Sequence, residues 1–506
     1  MSLLAIDVGT SGCKAAVYAA DGAPRALAYA EYPLLMPKPG WAELDPHHVW
    51  ERVCHVVRSA VTQAGGADPV QALAVSSLGE ACVPVTRDRR IVGSSILCVD
   101  ERGDEFLPAL RDRLGAAAVY RETGQLLTNH YGLTKLLWLQ RHRPEQLAAA
   151  DYVLPWGSFV AYMLGGEPVV DHSLACRLLC YDIDRQCWSD SVLSAAGFPA
   201  DKLPATAGAA TPAGTVGDAI AADLGLPRGV RIVVGCHDQC AAAVGCGVVG
   251  PGPAACGMGT FFCLTPVFAE RRAPENMLAG GLSTEPHAIA GQYVTFVYNQ
   301  GGVLLRWFRD TFAAAEHRAA QAAGQDVYPT LLAEMPDGPS EVLVLPHLAS
   351  TGPPEFVTAT SGVLAGVRLG TTRGEICKGV LEGVVFYLRA AMAALPDSGI
   401  RVDEVRASGG GSRSDAWLQI CADILNRPFT RVADSEAGLR GAAVLAGVGS
   451  GVYADVAEGV AAQVRLGETF TPRAAQVARY DERYEHYRRL WPLLREYLAD
   501  LAEARA

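Results

Sequence analysis

The stretch that most restricts what this chain can fold into is its opening, LLAIDVGTSGCKAAVYAADG, residues 3 to 22. Leu3 to Ile6 read as a buried strand that delivers a carboxylate, Asp7, at its end. Gly9, Thr10, Ser11 and Gly12 then turn the chain into a second apolar strand, Lys14 to Ala19, which Asp21-Gly22 closes. A Gly/Thr/Ser turn between adjacent strands gathers backbone N–H groups and hydroxyls into a small concavity, the geometry a phosphate oxygen needs. Asp7 at its lip suits a magnesium ion. The P-loop and dinucleotide fingerprints both require a strand followed by a helix, so neither describes this opening.

A chain of 506 residues exceeds the size at which one core keeps growing, which predicts two large domains with a ligand cleft between them. The 50% hydrophobic and 19% charged composition fits a globular enzyme rather than a disordered chain. A net charge of −11 argues against a nucleic-acid partner, while leaving ATP open, because local N–H groups, Lys14 and magnesium can hold phosphates in an acidic protein. No apolar run reads as membrane-spanning and the start lacks a signal-peptide pattern, so no membrane partner and a cytoplasmic location are expected. The 14 cysteines form no C-x-x-C pair and read as buried free thiols, with CHDQC, residues 236 to 240, as the one cluster to weigh as a metal site.

Along the chain, Asp45-Pro46 starts an amphipathic helix through about Ala64, and VQALAVSS, residues 70 to 77, is a buried strand. Carboxylates follow at two further strand ends, Glu80 and Asp100, as at the edge of an α/β sheet. His130 precedes the helical KLLWL string. An Ala/Pro/Gly/Thr-rich connector, 200 to 229, leads to a strand from Arg231 to Gly235, and the turn after it carries Asp238 ahead of a small-residue helix. A second Gly/Thr turn lies in ACGMGTFFCLTP, with Gly257, Gly259 and Thr260. Gly302 opens an apolar helix, and a strand ends in Gly409-Gly410-Gly411-Ser412, where missing side chains let backbone approach a flat base. The tail from Gln476 reads as an amphipathic helix broken at Pro492.

Taken in this order, the motifs resemble the actin-like ATPase superfamily and, within it, the FGGY family of carbohydrate kinases. The resemblance implies an α/β fold of two actin-like (ribonuclease H-like) domains, 1–248 and 249–506, flanking a deep catalytic cleft with sugar on the first side and ATP on the second. It implies phosphoryl transfer from MgATP to a hydroxyl of a small sugar or polyol, which needs positioning, charge neutralisation and a proton acceptor. In that reading Asp238 is the general base and Asp7 orients magnesium. Thr10, Ser11 and Lys14 contact the transferring phosphate, and Gly257, Gly259 and Thr260 hold the outer phosphates. Gly302 lies near the nucleotide, Gly409 to Ser412 receive adenosine, and Glu80, Asp100 and His130 contact the sugar.

The KLLWL string resembles part of one family signature, with Gly132 where Pro, Ser or Thr is usual; residues 361 to 383 resemble a second signature, departing at Gly379; and LPHLASTGPP replaces a segment that carries Gly-Glu-Arg in many relatives. Xylulokinases carry Met-His where this chain has Leu78-Gly79-Glu80, and glycerol kinases carry Arg-Glu. The chain keeps the glutamate and loses the arginine. A ketopentose such as D-xylulose is the first expectation, with a glycerol- or erythritol-type polyol or another ketose as the alternative. An actin-like ATPase without a sugar substrate is a further alternative, and a homodimer is an open one to a monomer.

Overall fold

The computed structural model describes residues 1–66 and 68–503. The opening alternation becomes an antiparallel pair, β1 (Ser2–Val8) and β2 (Gly12–Ala19), with Asp7 directly opposite Lys14. β3 (Pro24–Glu31) extends the meander, and α1 (Pro46–Ala64) starts where the Asp45 side chain accepts from His47 N–H. β4 (Val70–Ser77) lies parallel to β1, as expected for a strand buried on both faces. Two short helices matter below, α2 (Gly132–His142) and α3 (His172–Cys176).

The stretch read as an irregular connector contains a strand at Ala205–Ala207, β5 (Pro212–Thr215) and a helix at Asp218–Leu224. Its small residues pack as element positions rather than as linker. β6 (Arg231–His237) then runs parallel to β4 and passes without a turn into α4 (Asp238–Gly245), so Asp238 is the first helical residue. The first sheet has the order β5-β6-β4-β1-β2-β3.

Beyond residue 251 the same plan recurs. β7 (Gly252–Met258) and β8 (Phe261–Phe268) form an antiparallel pair around a Gly/Thr turn. After them come β9 (Glu285–Pro286), β10 (Tyr293–Val294), β11 (Val297–Gln300) and helix α5 (Gly302–Phe312). The long helix α6 (Arg373–Met392) precedes β12 (Val402–Ser408), α7 (Asp415–Leu425) and β13 (Phe429–Val432). The chain closes with α8 (Ala437–Gly449), β14 (Leu466–Phe470), α9 (Ala474–Tyr487) and α10 (Leu490–Glu503). The second sheet runs β9-β10-β8-β7-β12-β13-β14, with β11 paired to β8. Pro492 lies in the first turn of α10, where its missing N–H is tolerated, and the helical break falls before it, at Arg488–Arg489.

Each sheet has its own apolar core. A third cluster, built from α4, α8 and the strands behind them, joins the two halves. α8 packs on α4 and on β1, β4 and β6, so it belongs spatially to the first sheet although it lies late in the chain. One described helical stretch, Arg373–Ser398, is long and apolar enough to cross a membrane by length and composition, contrary to the sequence expectation. Val380, Leu381, Val384, Val385 and Leu388 on it are buried in the second core.

Candidate functional site

Asp7 sits at the end of β1, where β4 supplies Ser76, whose hydroxyl donates to Asp7 Oδ1 at 2.6 Å. Burial, and next the negative charge of Asp238, push the Asp7 carboxyl up to about 6 despite that hydrogen bond. The N-terminal end of α8 faces the same point, because Gly438 approaches Asp7 Oδ1. A helix start adds positive potential where phosphate would lie. The turn after β1 is closed by Gly9 N–H donating to Gly12 C=O, and the Tyr32 hydroxyl donates to the carbonyls of Gly9 (2.6 Å) and Gly12 (3.0 Å). Thr10 and Ser11 are left exposed on this braced turn. Lys14 points to it from β2 but is ion-paired with Glu436 at 2.5 Å, just ahead of α8.

Asp238 is the first residue of α4, with His237 in the capping place, where a negative charge also suits the helix start. Its Oδ1 is enclosed and has no hydrogen-bond partner, with His237 Nε2 3.3 Å away but not aligned for a bond. Burial raises the Asp238 pKa, the His237 charge lowers it, and the Glu80 charge raises it again. His237 is held from two sides. Its backbone N–H donates to Ser173 Oγ at 2.9 Å, and its Nδ1 lies 2.8 Å from Glu285 Oε1. Against its burial, the Glu285 and Asp238 charges bring the His237 pKa up to about 9, so the imidazole is a cation between two carboxylates.

Glu80 follows β4 with a left-handed backbone, φ 62°. Its carboxylate is buried against Arg177, and His130 Nε2 lies 3.1 Å from its Oε1. Arg177 and His130 offset the strong burial penalty and hold Glu80 well below the usual carboxylate range. The arginine missing at position 79 is therefore supplied in space by Arg177, from just beyond α3. Gly132, a departure from the family signature, starts α2 where a Cβ would lie 2.5 Å from the Glu80 carbonyl oxygen. A cavity of about 290 Å³ bordered by Trp41, Arg102, Lys135 and Trp138 opens beside Glu80.

Asp100 is corrected from sugar contact to structural residue. Its carboxylate accepts from Arg102 Nε and Nη2, Arg102 N–H and Ala42 N–H, which leaves no free lone pair for a hydroxyl. In CHDQC the groups that converge are His237 and Cys240, and both bond to Glu285 rather than to Cys236. All fourteen cysteines are free thiols.

On the other side, a cavity of about 630 Å³ is walled by Gly259, Thr260, Gly302, Gly410, Gly411 and Arg413, with Trp417 among the rest of its lining. That volume is of the order a nucleotide fills. Gly302 N–H donates to Gly259 C=O at 2.9 Å, which ties the start of α5 to the second Gly/Thr turn. Gly257 lies within β7 and Gly409 directly follows the strand β12, so both form the base of the loops rather than their rims. Ser412 is buried and its hydroxyl donates back to Gly409 C=O at 2.7 Å, which closes the glycine loop from within. α8 lies against α4 and the first sheet, with its start near Asp7.

Sequence reasoning missed Arg177, His237, Glu285 and Glu436. His237 stood within CHDQC, the cluster already singled out, and was legible as a candidate, whereas Arg177 lies in DHSLACR, residues 171 to 177. Glu285 lies on a two-residue strand in a Gly/Ser/Thr-rich stretch with no local signal.

Comparison with known proteins accords with this geometry. Residues 2–245 match the N-terminal domain, and residues 254–450 the C-terminal domain, of the FGGY family of carbohydrate kinases. A glycerol kinase of Methylibium petroleiphilum is 31% identical over 93% of this chain and 95% of its own length. A xylulose kinase of Bacillus subtilis is 25% identical over 97% and 96%. The crystal structure of a ligand-bound xylulose kinase from Lactobacillus acidophilus superposes with a TM-score of 0.87 at 21% identity, over 99% of each chain, which shows a shared fold.

Proposed function

The chain belongs to the FGGY family of carbohydrate kinases, and from that premise we propose that it phosphorylates a ketopentose of the D-xylulose kind on one hydroxyl, with Asp238 as general base. The coarser activity, ATP-dependent phosphorylation of a sugar or polyol, follows from the family itself. That membership also answers the alternative of an actin-like ATPase without a sugar substrate.

The observation that carries the assignment of the base is the enclosed Oδ1 of Asp238, charge-paired with His237 but without an aligned hydrogen-bond donor, and electrostatically coupled to Asp7 on one side and to Glu80 on the other. A buried carboxylate oxygen without a donor is disfavoured unless a ligand supplies one. An acceptor hydroxyl held by Glu80 and His130 supplies it, and Asp238 takes the hydroxyl proton as the oxygen attacks phosphorus. Thr10, Ser11 and the turn N–H groups then face the transferring phosphate, with Thr260 and Gly259 on the outer ones. The glycine wall at 410 and 411 receives the adenosine.

Asp7 and Asp238 disfavour each other's ionised forms, and a divalent cation relieves that repulsion, so the donor set fits magnesium at Asp7. When bound, magnesium neutralises phosphate charge. Everything else in the scheme is done by the chain: Ser76 fixes Asp7, Lys14 approaches the phosphate once released from Glu436, and His237 sets the charge beside Asp238.

A glycerol-type polyol remains the second reading, favoured by the names of the relatives at about thirty per cent identity. ADP formation across a panel of ketopentoses, glycerol, erythritol and hexuloses separates the two. Turnover stimulated by D-xylulose above all others is the expected result, and preference for glycerol replaces the first reading with the second.

A further inference from the structure

Position 79 is glycine, and the space a side chain would fill there is taken. A Cβ on Gly79 would lie 3.0 Å from Arg177 Cγ, 3.3 Å from Arg177 Nε and 3.2 Å from His237 Nε2. The side chain of Arg177 therefore crosses the end of β4 through a gap that a larger residue at position 79 would crowd. Its guanidinium, almost wholly buried, bonds Glu80 through Nε at 2.7 Å and also through Nη2. Nη2 lies 3.1 Å from His130 Nε2, and Nη1 lies 3.4 Å from Glu285 Oε2 and 3.5 Å from Gln125 Oε1. The rings of Tyr131 and Phe296 flank the cation at 5.0 and 5.7 Å.

Glu80 and His130, the two side chains aimed at acceptor hydroxyls, are both fixed by this one guanidinium. It is in turn neutralised by Glu80 from the first half of the chain and Glu285 from the second. The three carboxylates Glu80, Glu285 and Asp238 thus face one arginine and the imidazoles of His237 and His130, which leaves no unpaired cation among these groups to receive an anionic acceptor.

We infer that Arg177, in the space left by Gly79, is the positioning residue that sets acceptor selectivity, and that the carboxylates which neutralise it, Glu80 and Glu285, together with Asp238 confine the pocket to uncharged polyhydroxyl compounds and exclude sugar acids. The inference rests on the reading of the Glu80 pocket as the acceptor site. Five fixed donors suit the guanidinium to orient a carboxylate in one plane, which a lysine ammonium does only in part.

The test compares the wild type with Arg177→Gln, Arg177→Lys and Gly79→Ser in steady-state kinetics. The substrates are the best neutral acceptor, its deoxy analogues and the aldonate of the same carbon number, and thermal melting serves as a control of folding. The wild type is expected to prefer the neutral acceptor over the aldonate by ~10² or more, the discrimination of a site with paired buried polar groups. Arg177→Gln is expected to raise the acceptor KM by at least ~10-fold, flatten the ranking of deoxy analogues and leave the ATP KM within about twofold, with Arg177→Lys recovering part of the loss.

A wild type that prefers the aldonate overturns the charge argument. Equal losses on every acceptor, accompanied by a rise in ATP KM, make Arg177 merely structural and overturn the positioning role. Should Arg177→Gln fail to fold, Gly79→Ser decides, since it displaces the guanidinium without removing a charge; an unchanged acceptor ranking in that variant overturns the inference. Glu80→Ala tells the two levels apart. If it leaves acceptor selectivity intact, the pocket itself has been misplaced and the underlying reading fails.

Discussion

Asp238 shows how one residue can be claimed by three neighbours at once. Its carboxylate is raised by burial and by Glu80, lowered by the His237 cation, and repelled by Asp7. In the proposed scheme it accepts the acceptor's proton, so Asp238→Asn should leave the fold and the ATP affinity in place. Phosphoryl transfer should slow by ~10²–10⁴, the usual contribution of a positioned base. Single-turnover transfer measured beside nucleotide binding checks this, and wild-type transfer in the variant removes Asp238 from the mechanism. Glu382 is a buried carboxylate of another kind, far from any of these groups in sequence and held by Tyr480 O–H at 2.8 Å and Ser340 N–H at 3.1 Å. Burial pushes its pKa from 4.5 up to about 7. A raised folded-state pKa means the stabilising form is the protonated one: its contribution is complete below about pH 4.5 and is lost as pH rises through about 7. The shift corresponds to up to ~3 kcal/mol. Glu382→Gln abolishes that titration. Its stability relative to the wild type should therefore climb between about pH 4.5 and about 7 in denaturant melts, and a pH-independent difference would show that Glu382 ionises normally.

At the scale of elements, the decisive contact is between α4, which begins at Asp238, and α8, whose start faces Asp7. The two helices touch backbone to backbone: a Cβ on Gly441 would lie 1.9 Å from Ala241 C=O, and one on Gly245 would lie 1.8 Å from Ala437 C=O. No side chain fits either position without moving a helix. Gly441→Ala is therefore predicted to destabilise by ~1–3 kcal/mol, the range of overpacked cores. It should also shift Asp238 relative to Asp7, lowering kcat more than the acceptor KM. Calorimetry and steady-state kinetics together check it, and an unchanged melting temperature would mean the helices are not in the contact described.

For the whole molecule, the two Gly/Thr turns lie on different sheets, so the proposed transfer requires the halves to approach, and water must be excluded when they do. Pro251 and the flanking glycines 250 and 252 form one crossing between the halves, and α8 forms a second. Closure must therefore bend both. For its ammonium to reach phosphate, Lys14 must also leave Glu436, its ion-pair partner at the mouth of the first turn. Small-angle scattering should show compaction only with acceptor and a non-hydrolysable ATP analogue together. Glu436→Gln, which frees Lys14, should lower the ATP KM severalfold. No change in radius with both ligands present would count against closure.

Local chemistry by itself determined a great deal of this protein. The strand-turn-strand opening, the Gly/Thr turn at 259–260, the glycine loop at 409–411 and the Asp45-capped helix all depend on short-range periodicity and backbone freedom, which neighbouring residues dictate. The candidates Asp7, Asp238, Glu80 and His130 were legible for the same reason, since each stands at a strand end or beside a patterned helix. What the tertiary structure alone decided are the pairings made across long sequence separations. Asp100 looked like Glu80 in sequence, yet Arg102 and Ala42 saturate it. Arg177 reaches Glu80 from 97 residues away, and Glu285 comes from the other half of the chain to hold both Arg177 and His237. A buried charge is defined by whichever partner the fold brings within a few ångströms, and no local pattern encodes that partner. The order of strands and turns was therefore readable in the sequence, while the wiring of the acceptor pocket existed only once the two sheets had met.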